Sequence, residues 1–296
     1  MYRENKPIEL SPYDHPDIYP GPRPSSSFIY YEGKAHYIEE TPGVPVENLT
    51  VHVAKSEHLL GSFAFSPYKK MTIKAFLEEN EFTPMKDRVP LLAYGSNVCL
   101  AQLKYKFGLN PSQNDLVIHI RSQIKDTDVV YGAFLAPYGS LPAVIAPVQG
   151  AQSEVWVTFV DKKQLELITR TEETYELREH RGGKLQLATG EYFESVYAYY
   201  YPHALLDEGK YVRFKDIGGT SPLKGMWQAD MIDKVKQRID YKGTREEFIH
   251  LLRWSYVVKQ QVERQLKEFE DHFDHPDWKY AKQILAVGEM GRKFHT

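Results

Sequence analysis

The chain has 296 residues, enough for one large domain or two smaller ones. Its net charge of −3 gives no electrostatic basis for binding nucleic acid or an anionic membrane, and its single cysteine, Cys99, excludes an internal disulfide framework. The polar, proline-rich N-terminus lacks an apolar signal sequence, and no apolar stretch is long enough to span a bilayer. We therefore expect a soluble, cytoplasmic protein without a nucleic-acid or membrane partner. The sequence does not indicate an oligomeric state.

Residues 1–85 are predicted to form an irregular N-terminal extension. Prolines recur throughout its first half and oppose long helices there. Short strands are predicted at 28–31 and 49–54, and a short helix at 72–79. Such a segment cannot build its own core, so we expect it to pack on a core formed by later residues.

Residues 86–203 are predicted to form that core. Strands are expected at 90–94, 116–121, 129–136, 143–146, 154–160 and 195–201, with helices at 100–107 and 161–173. In LVIHIR at 116–121, apolar and polar residues alternate, which predicts a half-exposed strand with His119 on the outer face. Mixed strands around few helices predict an α+β fold with a small barrel-like or curled sheet.

Residues 204–296 are predicted to form a helical C-terminal extension. Thr244 and Glu247 make a capping box, which predicts the start of a long amphipathic helix that ends at His275–Pro276. A final short helix is expected at 278–286.

One histidine-bearing run, EDHFDHPD at 270–277, has two interpretations. His272 and His275 with the neighbouring carboxylates are chemically able to bind a metal ion. The run lacks a recognised ligand spacing, so we favour a solvated helix end. No nucleotide-binding or metalloprotease motif occurs elsewhere, and we expect neither metal nor cofactor.

The stretch LLAYGSN at 91–97 is the most informative one. An apolar strand stops at Gly95, which allows the backbone to turn or to approach a ligand closely. Amides after the turn, with the side chains of Ser96 and Asn97, are able to bind a carboxylate or an oxyanion. The same residues suit an ordinary turn or a helix N-cap. Tyr94 suits either a pocket wall or the buried end of a strand.

The YGSN loop at 94–97, followed by a strand and a helix that carries Glu172 and then Tyr175, resembles the gamma-glutamylcyclotransferase-like superfamily. The resemblance covers roughly residues 88–203. Ile168 and Thr169 stand where a leucine–aspartate pair is usual, and Glu172 falls on the position of the family's glutamate.

The resemblance implies an enzyme that cyclises a γ-glutamyl amine or peptide to 5-oxoproline and releases the amine, with no cofactor. Glu172 would be the acid and base, residues 94–97 and Tyr175 would bind the substrate, and Glu173 is the fallback acid. Three alternatives remain open at this point. In the first, Glu172 is only a solvated residue at a helix end. In the second, the protein binds a small molecule without catalysis, and in the third it is an interaction protein whose C-terminal segment binds a partner.

Overall fold

The computed structural model describes residues 10–53, 69–110, 114–172, 174–180, 183–193 and 195–280. Six α-helices occur in these ranges, and none of the six is long and apolar enough to cross a membrane. They are α1 (Ile73–Glu79), α2 (Leu100–Gly108), α3 (Lys162–Thr171), α4 (Gln228–Arg238), α5 (Arg245–Trp254) and α6 (Tyr256–Glu268).

The strands are short except for two in the middle of the chain. They are β1 (Phe28–Tyr31), β2 (Lys34–Ile38), β3 (Thr50–Val53), β4 (Lys69–Thr72), β5 (Val89–Ala93), β6 (Val117–Tyr131), β7 (Ala143–Val160), β8 (Glu176–His180), β9 (Leu185–Leu187), β10 (Tyr192–Phe193), β11 (Val196–Tyr200), β12 (His203–Asp207), β13 (Lys210–Tyr211), β14 (Arg213–Phe214), β15 (Gly219–Thr220), β16 (Gly225–Met226), β17 (Glu270–His272) and β18 (Trp278–Tyr280).

Fifteen strands form one large sheet, whose main path runs β18-β8-β11-β5-β7-β6-β1-β2-β3-β4. The mixed α and β composition of the prediction is confirmed, but the described strands do not close into a barrel. The outer edge of β6 explains the difference, because β1, β9 and β14 pair with it in turn and leave no edge for closure. A second sheet holds β13, β12 and β17.

The N-terminal segment is more regular than predicted. The strands expected at 28–31 and 49–54 and the helix at 72–79 are present as β1, β3 and α1. The four strands β1 to β4 form an antiparallel meander that continues the large sheet from β6. Strands from all three predicted segments join this sheet, and the division after residues 85 and 203 stays a prediction.

Four strands that were predicted separately in the core correspond to only two long strands in the structure. Most of the strand expected at 116–121, and only the start of the one expected at 129–136, belong to β6, which ends at Tyr131. The strands expected at 143–146 and 154–160 are parts of β7. A register shift between Lys125 and Thr127 lets the ladder continue across the polar residues that suggested a break. A β-bulge of this kind bends a strand without ending it.

The C-terminal segment is only partly helical, since it also contributes strands to both sheets. The capping box of Thr244 and Glu247 is present. The single long helix was wrong: α5 ends at Trp254, Ser255 caps a separate helix α6, and α6 ends at Glu268. Trp278 begins β18 instead of a helix, and residues 281–286 of that prediction lie outside the described ranges.

The outer face predicted for His119 was also wrong. His119 is 0% exposed, because β1 pairs with this part of β6 and the Phe28 ring stacks on the imidazole at a centroid distance of 4.4 Å. Its Nδ1 lies 2.8 Å from the Thr158 hydroxyl oxygen. Burial lowers the pKa of His119 to about 3.

This buried imidazole predicts a loss of stability in acid. The folded-state pKa is about 3 and the unfolded value about 6.5, so the unfolded chain alone binds this proton between those pH values. The stabilising contribution is complete above pH ~6.5 and is lost as the pH falls toward ~3. We expect His119→Gln to flatten the fall of the unfolding free energy by about 1.4 kcal/mol per pH unit between pH ~5.5 and ~4. Denaturant titrations at stepped pH measure this, with the exposed His250→Gln as control. An unchanged slope would contradict it.

Candidate active site

The sheet topology brings the YGSN loop and Glu172 to the same place. β5 and β7 are antiparallel, with Val89 opposite Val160, so β7 ends beside the start of β5. Helix α3 then runs back along the sheet for ten residues. Its length of about 15 Å nearly equals that of the five-residue strand β5. The end of α3 therefore lies beside the end of β5, where the loop begins.

Local sequence fixes both elements. Asp161 caps α3, and Gln164 completes a capping box. On the other side, residues 96–98 form a single 3-10 turn with Gly95 as its N-cap, and Cys99 caps α2. The loop is thus a separate turn, and the residues predicted as a possible helix N-cap do not cap α2.

Glu172 and the loop are in direct contact. Asn97 Nδ2 donates to Glu172 Oε1 at 3.2 Å, although 75 residues separate the two. Lys106 Nζ donates to the same Oε1 at 3.1 Å, to Asn97 Oδ1 at 2.6 Å and to Thr171 Oγ1 at 3.0 Å. Within the described residues nothing donates to Oε2. One carboxylate oxygen, Oε1, is therefore held by Asn97 and Lys106.

The ion pair is largely buried: the side chains of Lys106 and Glu172 are 9% and 15% exposed. Glu172 is also the C-cap of α3, where the helix dipole disfavours a negative charge. Lys106 places its ammonium at this helix end and offsets both the dipole and the desolvation of the carboxylate. The solvated helix end considered for Glu172 therefore does not describe its surroundings.

Five buried tyrosines are influenced by the charge of Glu172, and we call them the tyrosine cluster: Tyr19, Tyr94, Tyr138, Tyr175 and Tyr199. Burial raises the pKa of each, and the charge of Glu172 raises it further. Tyr19 has the smallest rise, to about 12. All five hydroxyls are therefore neutral at physiological pH and act only as hydrogen-bonding groups.

The two tyrosines predicted to bind substrate use their hydroxyls on the backbone. Tyr94 donates to the Tyr199 carbonyl, and Tyr175 donates to the Ala143 carbonyl at 2.8 Å. Both side chains are buried. Of the remaining predicted residues, Gly95 and Ser96 lie in the turn next to Asn97 and are partly exposed.

Sequence reasoning missed Lys106 and Tyr19. No role was assigned to Lys106 from the sequence, although it lies one helical turn beyond Leu103 on the buried face of α2. Tyr19 lies in the proline-rich segment, for which no site was expected. The count of 21 tyrosines was the one available signal for the cluster.

Two other candidates were named from the sequence. Glu173, the fallback acid, lies outside the described residues. The structure also separates the histidines of the 270–277 run. His275 is buried with Nε2 2.9 Å from Thr127 Oγ1, whereas His272 lies on the exposed side of β17.

Comparison with known proteins gives few matches. No protein-family model and no curated protein matches this sequence. Among solved structures, a gamma-glutamyl cyclotransferase matches with a TM-score of 0.31 and 15% identity, over 68% of this chain and 97% of that chain. An uncharacterized protein from Homo sapiens matches with a TM-score of 0.30 and 15% identity, over 68% of this chain and 98% of that chain. TM-scores this low do not establish a shared fold.

Proposed function

We propose that this protein is a gamma-glutamylcyclotransferase-like enzyme, which converts a γ-glutamyl amine or peptide to 5-oxoproline and the free amine. The contact of Asn97 with Glu172, backed by the buried Lys106, is the observation that carries the proposal. It joins the two parts of the sequence motif in one partly enclosed polar site, with one carboxylate oxygen left for a substrate.

The reaction needs proton transfer more than it needs a strong nucleophile. The α-amine and the γ-carbonyl belong to the same molecule, so ring closure is intramolecular and depends on how the substrate is folded. In our proposal Glu172 Oε2 takes one proton from the α-ammonium. The amine nitrogen then bonds to the γ-carbon, and the carbonyl π electrons move to oxygen.

Collapse of this intermediate completes the balance. Glu172 gives its proton to the leaving nitrogen, the γ-carbon–nitrogen bond breaks, and the carbonyl reforms. The ring nitrogen loses its second proton through Glu172 to the departing amine, which leaves as an ammonium ion. Glu172 returns to the carboxylate, as an acid–base group must. Asn97 and Lys106 hold Oε1 throughout and keep Oε2 aimed at the substrate.

The experiment is release of 5-oxoproline from a panel of γ-glutamyl amines, peptides and amino acids, with the purified full-length protein. We expect release from at least one class, together with an equal amount of amine. The same panel is tested for binding by calorimetry. Binding without release would support the non-catalytic alternative instead.

A further inference from the structure

The N-terminal segment reaches the candidate site. Ser11 donates its hydroxyl to Gln102 Oε1 of α2 at 3.0 Å, and the Tyr13 ring stacks on Tyr105 of α2 at a centroid distance of 4.2 Å. Asp17 lies 3.7 Å from Arg245 at the start of α5. These contacts fix the segment over α2 and deliver Tyr19, which is 4% exposed, to the turn at Gly95.

The turn is shaped to receive the Tyr19 hydroxyl. A Cβ added at Gly95 would lie 2.7 Å from Tyr19 Oη, closer than such contacts allow, so the phenol would have to shift if any other residue stood there. The Ala143 amide donates to Tyr19 Oη at 3.1 Å, and the Ser96 amide also faces this oxygen and lowers the pKa of the phenol. From the sequence, the Ser96 amide was expected to bind a substrate oxyanion. In the structure it faces Tyr19 instead.

The Tyr19 hydroxyl keeps hydrogen-bonding capacity that the described residues do not use. A tyrosine hydroxyl has two lone pairs and one hydrogen. The Ala143 amide occupies one lone pair, and among the residues described none accepts the hydrogen. Glu172 lies close enough for its charge to raise the pKa of Tyr19. The Tyr19 hydroxyl therefore has an unused donor at the same turn whose Asn97 contacts Glu172.

We infer that Tyr19 is a catalytic residue whose Oη–H donates to the γ-carbonyl oxygen of the substrate and stabilises the oxyanion formed on ring closure. The assignment rests on the proposed function. Donation from a phenol that itself accepts the Ala143 amide is strengthened by that hydrogen bond, and a donor held in this way acts on the transition state. The N-terminal segment is then part of the catalytic site.

The test is Tyr19→Phe, which removes the hydroxyl and keeps the ring. We expect kcat for 5-oxoproline release to fall by about 10²- to 10³-fold, with KM within about threefold of wild type. Tyr200→Phe is the matched control, since that buried hydroxyl also accepts a backbone amide, from His275 at 3.0 Å, but donates to the Phe273 carbonyl and so makes its hydrogen bonds with the C-terminal segment. We expect its kcat within about threefold of wild type.

Failure of this inference is distinct from failure of the proposed function. If wild type releases 5-oxoproline and Tyr19→Phe keeps kcat within threefold, the role of Tyr19 is overturned and the proposed reaction stands. If wild type converts no substrate, both are overturned.

Gly95→Ala gives a second, independent variant, useful if Tyr19→Phe fails to fold. Its Cβ would displace the phenol oxygen, so we expect a comparable loss of kcat. Gly108→Ala is the control, because a Cβ there meets nothing within 4 Å. In the double variant Tyr19→Phe/Gly95→Ala the clashing oxygen is gone, so the second change should cost little more. Full kcat in Gly95→Ala, or losses that multiply in the double variant, would overturn the inference.

Discussion

Glu172→Gln is expected to lower kcat for 5-oxoproline release by about 10²- to 10⁴-fold, the usual contribution of a positioned acid–base group. Glutamine keeps the shape of the side chain and an oxygen for Asn97 to bond, but it cannot accept and return a proton. Steady-state kinetics on the best substrate of the panel measure the effect. KM should change much less than kcat, because the amide still fills the site.

The matched control for this variant lies on the same helix. Glu166 pairs with Arg170 across one turn of α3, and its side chain is 39% exposed. We expect Glu166→Gln to keep kcat within about threefold of wild type. Equal losses in the two variants would mean that Glu172 acts through the stability of α3 and would remove it as the acid and base.

Lys106→Met is expected to destabilise the fold by about 3–5 kcal/mol. The change leaves the Glu172 carboxylate, 15% exposed and at a helix C-terminus, without its cation. Equilibrium denaturation in urea measures the effect. The kcat of the remaining folded protein should also fall, because Glu172 Oε1 loses one of its two hydrogen-bond donors.

An exposed lysine–glutamate pair supplies the comparison. Lys69 and Glu79 lie 2.6 Å apart with side chains 46% and 52% exposed, so Lys69→Met should cost about 1 kcal/mol or less. In a double-mutant cycle, Lys106→Met with Glu172→Gln should cost clearly less than the sum of the single changes. Additive effects to within about 0.5 kcal/mol would show that the buried pair does not stabilise the fold.

Much of the local structure was predictable because its signals are local. Asp161 and Gln164 predict the start of α3, and the apolar run before Gly95 predicts β5. The motif also anticipated that the loop and Glu172 belong together. Their contact follows from the matching lengths of β5 and α3, two elements whose bounds were nearly correct.

The failures have tertiary causes. The bulge near Asp126 joins two predicted strands, and it depends on pairing with β7. His119 reads as an outer residue until β1 covers it. In the sequence, Lys106 resembles any surface lysine of a helix, and only the folded structure brings Glu172 of another helix to it. Tyr19 lies far from the Ser96 turn in the sequence, and no periodic pattern of residues links the two.

The most direct test of the proposed reaction is turnover in H₂¹⁸O, with mass spectrometry of all products. Cyclisation forms its new bond from the substrate's own amine, so we predict unlabelled 5-oxoproline, an equal amount of amine and no labelled glutamate. Glutamate carrying one ¹⁸O in its γ-carboxylate would identify a hydrolase and contradict the account, and an absence of any product would contradict catalysis at Glu172 altogether.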